Sequence, residues 1–331
     1  MPLALKNGDT LRTRYRVRER IGQGGMGNIY LADDLRLEGR RCALKEVEYD
    51  RRTPGKILRE ARDQFLREAT ILARLDHPNL PKVSDYFSVG RRDYLVMDYV
   101  PGKDLRTLMM EARGQNIFLA EGDVLGWAGQ LISALTYLHG QDPQVVHRDI
   151  KPSNLKITPD NLLKLVDFGL VKVLTPDEVT VTVIQGRGTA LYTPLEQYGD
   201  DGQHTDARSD IYALGATLYH ILTNQPPPDA RQRFLYPDIL TLPRKINPSI
   251  SARTEQAILW AMELHPNDRP ENVEILQEYL SGKTGIFGRQ IKAPALSSGL
   301  LQKLPMKKTE MIMLWIAGGF LLISLLASLL G

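Results

Sequence analysis

The chain has 331 residues, with 42 basic and 39 acidic side chains and a formal net charge of +3 at pH 7. This length can bury a core in each of two lobes, and so small a net charge does not indicate a nucleic-acid-binding protein. The single cysteine, Cys42, excludes an internal disulfide, and the six histidines show no metal-ligand spacing. Residues 1–10 contain no apolar run, so no signal peptide is predicted.

A glycine-rich segment, residues 22–27, contains the pattern G-x-G-x-x-G. The segments on either side, residues 15–21 and 29–32, have the composition of β-strands. They predict a hairpin whose tip can approach phosphates closely, because it carries few side chains. A nicotinamide-binding fingerprint would lie between a strand and a helix instead, so the context argues against a Rossmann domain.

Two further elements are predicted before the middle of the chain. Apolar residues recur at helical spacing at Phe65, Ala69, Leu72 and Leu75, which indicates an amphipathic helix. Residues 94–100 read Y-L-V-M-D-Y-V and predict a buried strand that ends at a Pro-Gly pair.

The most informative feature is a string of polar residues in the middle of the chain. His147-Arg148-Asp149 is followed, eighteen residues on from its aspartate, by Asp167-Phe168-Gly169, and Lys151-Pro152-Ser153-Asn154 lies between them. Phosphoryl transfer needs an acid near the attacking hydroxyl, an amide and a second acid on Mg²⁺, and fixed positive charge. The two triplets in this order are therefore typical of a phosphotransferase.

These motifs resemble those of protein kinases, in which H-R-D-x-x-x-x-N precedes D-F-G. The Gly-Gly-Met-Gly run and the lysine two residues after Asp149 are most similar to bacterial eukaryotic-like (Hanks-type) serine/threonine kinases. The resemblance implies an α+β, two-lobed protein kinase fold over residues 15–280, after an N-terminal extension, residues 1–14. The β-rich N-lobe would span about residues 15–100 and the mainly helical C-lobe about residues 101–280.

The resemblance also implies catalytic roles and cofactors. Asp149 would orient the substrate hydroxyl and accept its proton, with Lys151 beside it. Asn154 and Asp167 would hold Mg²⁺, with Mn²⁺ as an alternative, on the phosphates of ATP. Lys45 would neutralise the α- and β-phosphates.

The resemblance also implies which residues bind the nucleotide. Glu68, next to the apolar stripe of the predicted helix, is expected to pair with Lys45, and Glu60 is the rival partner. Asp104 would meet the ribose or cap a helix. The ATP-binding set comprises Ile21, Gly22, Gln23, Gly24, Gly25, Met26, Gly27, Ile29, Ala43, Lys45, Met97, Asp98 and Val100.

The segment after Asp167 is the predicted regulatory part. Thr180 or Thr182 is expected to be autophosphorylated and to contact Arg148, although a Val/Thr run also simply favours extended backbone. Pro194-Leu195-Glu196 stands where the family has Ala-Pro-Glu, which suggests a local shift of the substrate platform. The resemblance implies that Glu196 pairs with Arg269 and that Asp210 lies beneath the catalytic loop, the loop that carries Asp149. The regulatory and structural set is Arg148, Phe168, Thr180, Thr182, Thr189, Glu196, Asp210 and Arg269.

The C-terminal end differs in composition from the rest of the chain. Residues 311–330 are twenty residues without a charge, long enough to cross the roughly 30 Å hydrocarbon core as a helix. Residues 281–310, a predicted basic juxtamembrane linker, hold six of the 42 basic and one of the 39 acidic residues, so the remainder carries a net charge of −2. Basic residues beside a span favour the cytoplasmic side. A C-terminal transmembrane helix with no sizeable segment beyond it is therefore predicted, with the kinase domain in the cytoplasm.

The sequence thus predicts a membrane-anchored serine/threonine protein kinase that uses ATP and acts on protein substrates, without a nucleic-acid partner. Three alternatives remain: a pseudokinase scaffold, a small-molecule kinase of the aminoglycoside type, and a purely structural membrane protein. The pair Ser324 and Ser328 has the small-xxx-small spacing of helix dimers, so a homodimer stays open.

Overall fold

The N-terminal lobe is an antiparallel β-sheet with one long helix against it. The computed structural model describes residues 4–24, 27–49, 52–167, 172–173, 190–198 and 205–283, which all lie in the first of two units of the chain, Met1–Ile291 and Lys292–Gly331. The strands are β1 (Thr10–Leu11), β2 (Tyr15–Gly24), β3 (Gly27–Asp34), β4 (Arg41–Glu48), β5 (Val83–Val89) and β6 (Arg92–Asp98). Their order across the sheet is β1-β2-β3-β4-β6-β5.

The predicted glycine hairpin is present. Strands β2 and β3 pair from Tyr15 opposite Asp34 to Gly24 opposite Gly27, with two irregularities in register along β2. A Cβ on Gly27 would overlap the carbonyl of Glu46 on β4, so this position accepts only glycine. The start of β3 is therefore held close to the strand that carries Lys45.

The two faces of the sheet bury different side chains. Because side chains alternate along a strand, Ala43 of β4 packs into the main core, whereas its neighbour Leu44 packs into a second cluster. Tyr15 stacks on Phe87 in that second cluster, with ring centroids 5.6 Å apart. The same alternation turns Lys45 to the face of Ala43.

The predicted amphipathic helix is confirmed as α1 (Gly55–Arg74). Ala69 and Leu72 are buried on its inner face, Leu75 is buried just after its end, and Phe65 is partly buried. The helix packs mainly against β5. Burying this stripe fixes which face of α1 turns toward the sheet.

The C-terminal lobe is mainly helical, as predicted. One of its helices buries fourteen of seventeen residues, so it forms the centre of the lobe. The helices are α2 (Leu105–Gly114), α3 (Glu121–His139), α4 (Ala207–Thr223), which is the central one, α5 (Ala230–Leu235), α6 (Pro243–Ile246), α7 (Ala252–Ala261) and α8 (Val273–Leu280).

Short strands stand next to two important segments, the connection between the lobes and the loop that carries Asp149. They are β7 (Lys103–Asp104), β8 (Val145–Val146), β9 (Leu155–Ile157), β10 (Leu163–Leu165) and β11 (Lys172–Val173), with β9 between β10 and β7, and β8 beside β11. Gly102, just before β7, has φ +101°, and a Cβ there would overlap the carbonyl of Ile157. The inter-lobe connection therefore lies directly on β9.

Within the described residues, no helix has the length and apolar character required to span a bilayer. The predicted span, residues 311–330, lies outside the described residues, as does the predicted linker beyond residue 283. The membrane helix stays a prediction.

Candidate active site

A buried carboxylate in the C-lobe holds the loop that follows β8. Asp210, on α4, accepts hydrogen bonds from the main-chain N–H groups of His147 (2.9 Å) and Arg148 (2.8 Å). Its Oδ2 is also 2.9 Å from Nε2 of His139, at the end of α3. Burial opposes its ionisation, but His139 and His147 together hold the pKa of Asp210 below its ordinary value. The structure thus places Asp210 beneath the loop, as the resemblance implies.

Two predicted catalytic residues and one predicted metal ligand project from this loop and meet. Nζ of Lys151 lies 2.9 and 2.7 Å from the two carboxylate oxygens of Asp149. The Asn154 amide donates to the carbonyl and to Oδ2 of Asp149, at 2.8 and 2.9 Å. A cation and an amide therefore fix the direction in which the Asp149 carboxylate points.

Asp167, in the C-lobe, contacts Lys45 of the N-lobe. Oδ1 of Asp167 forms an ion pair with Nζ of Lys45 on β4. Burial raises the pKa of Asp167, but Lys45, then Lys151, outweigh it and lower the pKa below its ordinary value. The Val166 N–H donates to the carbonyl of Asn154 at 2.8 Å, which ties the two predicted metal ligands together.

His147 shows that these groups converge. Its side chain is completely buried, and burial lowers its pKa. The carboxylates of Asp210, Asp149 and Asp167 oppose that shift, and Lys45 adds to it. One imidazole therefore lies within electrostatic range of the acids from both sides of the predicted site.

The oxygen-rich donor set suits a hard cation. The amide nitrogen of Asn154 is committed to Asp149, so its amide oxygen and the Asp167 carboxylate are the protein groups that would hold Mg²⁺. Among the described residues there is no group of three or more His, Cys, Asp or Glu side chains that could hold a metal by themselves. Phosphates and water would complete the coordination, as is usual for Mg²⁺.

The expected partner of Lys45 on α1 stays a prediction. Glu68 is half-buried and accepts a hydrogen bond from Gln64, one turn earlier, at 2.9 Å. The rival, Glu60, is exposed and lies 3.9 Å from Lys56. Of the two, Glu68 is the one on the inner part of the helix.

Most of the predicted nucleotide residues lie on neighbouring strands of the N-lobe sheet. Gly22, Gln23 and Gly24 of β2 pair with Ile29, Asn28 and Gly27 of β3, with Ile21 exposed just before them. Ala43 pairs with Met97 across β4 and β6, and Asp98 and Val100 follow Met97. Asp104 caps α2 by accepting from the Thr107 N–H at 2.7 Å, which is the cap alternative for this residue.

Sequence reasoning did not single out Lys156, whose Nζ donates to the carbonyl of Val100 at 2.8 Å. The available signal was a lysine inside the otherwise apolar strand Leu155–Ile157. It also missed the contact of His139 with Asp210, which joins residues 71 positions apart.

The predicted platform residues meet in a buried ion pair. Nη1 and Nη2 of Arg269 lie 2.6 and 3.0 Å from the two carboxylate oxygens of Glu196. Ser209 donates to the same carboxylate at 2.8 Å, and the Arg269 guanidinium lies 5.0 Å from the ring centroid of Tyr212. The unusual Pro-Leu-Glu sequence therefore still brings its glutamate to Arg269. Gly25, Met26, Phe168, Thr180, Thr182 and Thr189 lie outside the described residues.

Comparison with known proteins agrees with this geometry. The Protein kinase domain family matches residues 15–280. The chain is 33% identical to the serine/threonine-protein kinase PrkC of Bacillus subtilis, over 82% of this chain and 40% of PrkC. It is 32% identical to the serine/threonine-protein kinase pkn3 of Myxococcus xanthus, over 91% and 56%. The chain thus spans about half the length, or less, of these curated relatives.

Solved structures give the same result. The PknI kinase domain of Mycobacterium tuberculosis superposes with a TM-score of 0.63 at 27% identity, over 85% of this chain and all of that one. The apo form of PpkA-294 gives a TM-score of 0.67 at 27% identity, over 84% and 99%.

Replacing Arg269 with alanine is expected to destabilise the C-lobe strongly. It leaves the buried Glu196 carboxylate without its cation, which costs about 3–5 kcal/mol in comparable pairs. Equilibrium unfolding in urea measures the change. Lys56→Ala, which removes an exposed ion pair, serves as the control, and equal effects of the two substitutions would contradict the structural role of Arg269.

Proposed function

Because the chain belongs to the Protein kinase domain family, among its bacterial Hanks-type serine/threonine members, we propose that it transfers the γ-phosphate of ATP to serine and threonine hydroxyls of proteins. The observation that carries this proposal is the meeting of Asp149, Lys151 and Asn154 in one cluster, next to the Lys45–Asp167 ion pair. Two acids with two lysines beside them suit a reaction that moves a highly charged group.

Some of these residues orient the substrate, and others supply positive charge. Asp149, held by Lys151 and Asn154, orients the acceptor hydroxyl and takes its proton. Lys45 places positive charge on β4 of the N-lobe, at the Asp167 carboxylate. Asn154 and Asp167 would hold Mg²⁺, which would supply positive charge beside the phosphates. Catalysis on this view consists of orientation and electrostatic stabilisation by groups already in place.

Two alternatives are less well supported. A pseudokinase would be expected to lack one of Lys45, Asp149, Asn154 and Asp167, and all four are present. A small-molecule kinase normally lacks the protein-substrate platform, whereas the Glu196–Arg269 pair keeps part of it.

Membrane attachment is the second part of the proposal. Its support is the uncharged segment, residues 311–330, and the six basic residues that precede it. Lysines and arginines next to a span remain on the cytoplasmic side and attract anionic lipid headgroups. ATP and Mg²⁺ are also found in the cytoplasm, so the orientation agrees with the chemistry.

Regulation by autophosphorylation is the third part. Arg148 is 8% exposed, and burial lowers the pKa of its guanidinium to about 10, although Asp210 favours the charged form. A buried cation gains from an added anion, and a phosphate on Thr180 or Thr182 would supply one carrying about −1.5 to −2 charges.

Asp149→Asn is expected to lower phosphate transfer to a general protein acceptor by roughly 10²- to 10⁴-fold, the contribution of a positioned base. Transfer from radiolabelled ATP by the full chain in detergent is the measurement. Asp160→Asn, an exposed aspartate in the same lobe, is the matched control. Binding of ATP by the wild-type chain without any transfer would favour the pseudokinase, and transfer to sugars or antibiotics only would favour the small-molecule kinase.

The full chain is expected to sediment with membranes and to stay there after washes with high salt and carbonate, because a spanning helix is not held by charge. A chain ending at residue 310 should be released. Immunoblotting of the fractions measures both. Release of the full chain by salt alone would show peripheral, electrostatic binding and would overturn the proposed anchor.

Mass spectrometry of active full chain should find phosphate on Thr180 or Thr182 and none in Asp149→Asn protein. The double variant Thr180→Ala/Thr182→Ala should transfer phosphate more slowly, because the phosphate that would contact Arg148 is then absent. Active wild-type protein without phosphate on either threonine would contradict the proposed autophosphorylation.

A further inference from the structure

A buried glutamate follows Lys45 on β4. Because side chains alternate along a strand, Glu46 turns to the outer face of the sheet, the face of the second hydrophobic cluster, and it is 1% exposed. Arg92 of β6 forms an ion pair with its carboxylate at 3.1 Å. The hydroxyl groups of Tyr30 and Tyr94 donate to the same carboxylate, each at 3.1 Å. These donors fix Glu46 on the side of the sheet away from Lys45.

A further donor to Glu46 comes from the glycine hairpin. Nδ2 of Asn28, on β3, donates to Oε2 of Glu46 at 2.9 Å, and Oδ1 of Asn28 accepts from Nη1 of Arg20, on β2, at 3.4 Å. A carboxylate only accepts hydrogen bonds and a guanidinium only donates them. Asparagine suits the position between them because its amide does both. The side chains of three neighbouring strands are thereby joined into one polar chain, Arg20–Asn28–Glu46.

This polar chain holds the part of the hairpin that is predicted to meet ATP. Asn28 stands between Gly27 and Ile29, which both belong to the predicted ATP-binding set. Ile29 lies opposite Lys45 in the pair of β3 and β4. The main-chain carbonyl of Glu46 also lies so close to Gly27 that a Cβ there would overlap it. Glu46 therefore holds the start of β3 twice, through its main chain at Gly27 and through its side chain at Asn28.

The bond lies on the face of β3 that the nucleotide would not use. Ile29 turns inward and packs against the main core, whereas Asn28 turns to the outer face, as Tyr30 does. Asn28 thus fixes the backbone of β3 without filling the space of a ligand. A glycine hairpin offers its backbone to phosphates, and small displacements of positioning groups weaken binding and catalysis. The position of this backbone therefore affects how well the hairpin meets ATP.

We propose that Asn28 and Glu46 are positioning residues for ATP, whose hydrogen bond on the outer face of the sheet holds the glycine hairpin where its backbone meets the phosphates. The inference rests on the proposed ATP-dependent function. Both residues act through the backbone of Gly27 and Ile29, and neither is a catalytic residue.

The test breaks the bond and then rebuilds it in the full chain. Asn28→Asp places a second carboxylate beside Glu46, so KM for ATP should rise roughly tenfold while kcat changes less than about threefold, as expected when repulsion replaces a hydrogen bond to a charged group. Asn28→Ala removes the donor without adding a charge and should raise KM less. The double variant Asn28→Asp/Glu46→Gln restores an amide opposite a carboxylate at the net charge of the wild type, so KM should return towards the wild-type value.

Tyr94→Phe is the matched control. It removes a hydrogen bond to the same carboxylate from β6, on the side away from the hairpin, and Arg92 still holds the same oxygen. This variant should lower thermal stability and leave KM for ATP unchanged. Thermal unfolding of every variant separates displacement of the hairpin from loss of the fold.

Each outcome decides the question. A raised KM in Asn28→Asp that the double variant reverses, with Tyr94→Phe like the wild type, supports the proposal. An unchanged KM in Asn28→Asp and Asn28→Ala, an equal rise in Tyr94→Phe, or no recovery in a folded double variant overturns it. Calorimetric titration with Mg·ATP gives the same comparison as Kd. Should the wild type bind Mg·ATP without transferring phosphate, the proposed kinase activity fails while Kd still tests the positioning role. A wild type that does not bind Mg·ATP contradicts both proposals.

Discussion

The candidate site depends on one buried charge, the Asp210 carboxylate at the centre of the C-lobe. An isolated carboxylate in a protein interior is strongly unfavourable unless donors surround it. Asp210 meets that requirement with two main-chain N–H groups of the catalytic loop and with His139. The helix that carries Asp210 is buried on nearly every side. The loop is therefore held by the same packing that stabilises the lobe, and it cannot move without leaving a charge uncompensated.

This anchoring accounts for the strained conformation of the loop. Arg148 adopts φ +65° and Asp167 φ +67°, both in the left-handed region that non-glycine residues rarely occupy. Such conformations cost free energy and persist when the surrounding structure holds them in place. At Arg148 the carboxylate of Asp210 holds the N–H. At Asp167 the ion pair with Lys45 ties the residue to the opposite lobe.

The two lobes fix their functional side chains in different ways. The sheet fixes Lys45 through strand alternation and holds the glycine hairpin against β4. The C-lobe fixes Asp149 through side-chain hydrogen bonds from Asn154, which ends the 3₁₀ turn Pro152–Asn154. The connection between the lobes is held by strand pairing and by the Lys156 ammonium. A charged reaction site assembled in this way has its dipoles oriented before substrates arrive.

The sequence by itself determined the local elements and the residue types of the site. The glycine hairpin, the apolar stripe of α1 and the string from His147 to Asp167 are short-range patterns, and backbone sterics and side-chain periodicity act over such distances. Only the tertiary structure decided which groups meet across long separations. It joined His139 to Asp210, decided between the two roles expected for Asp104 by making it a helix cap, and placed Lys156 on the Val100 carbonyl. Those contacts depend on how helices and strands pack, which follows from burying the whole core and cannot be read from neighbouring residues.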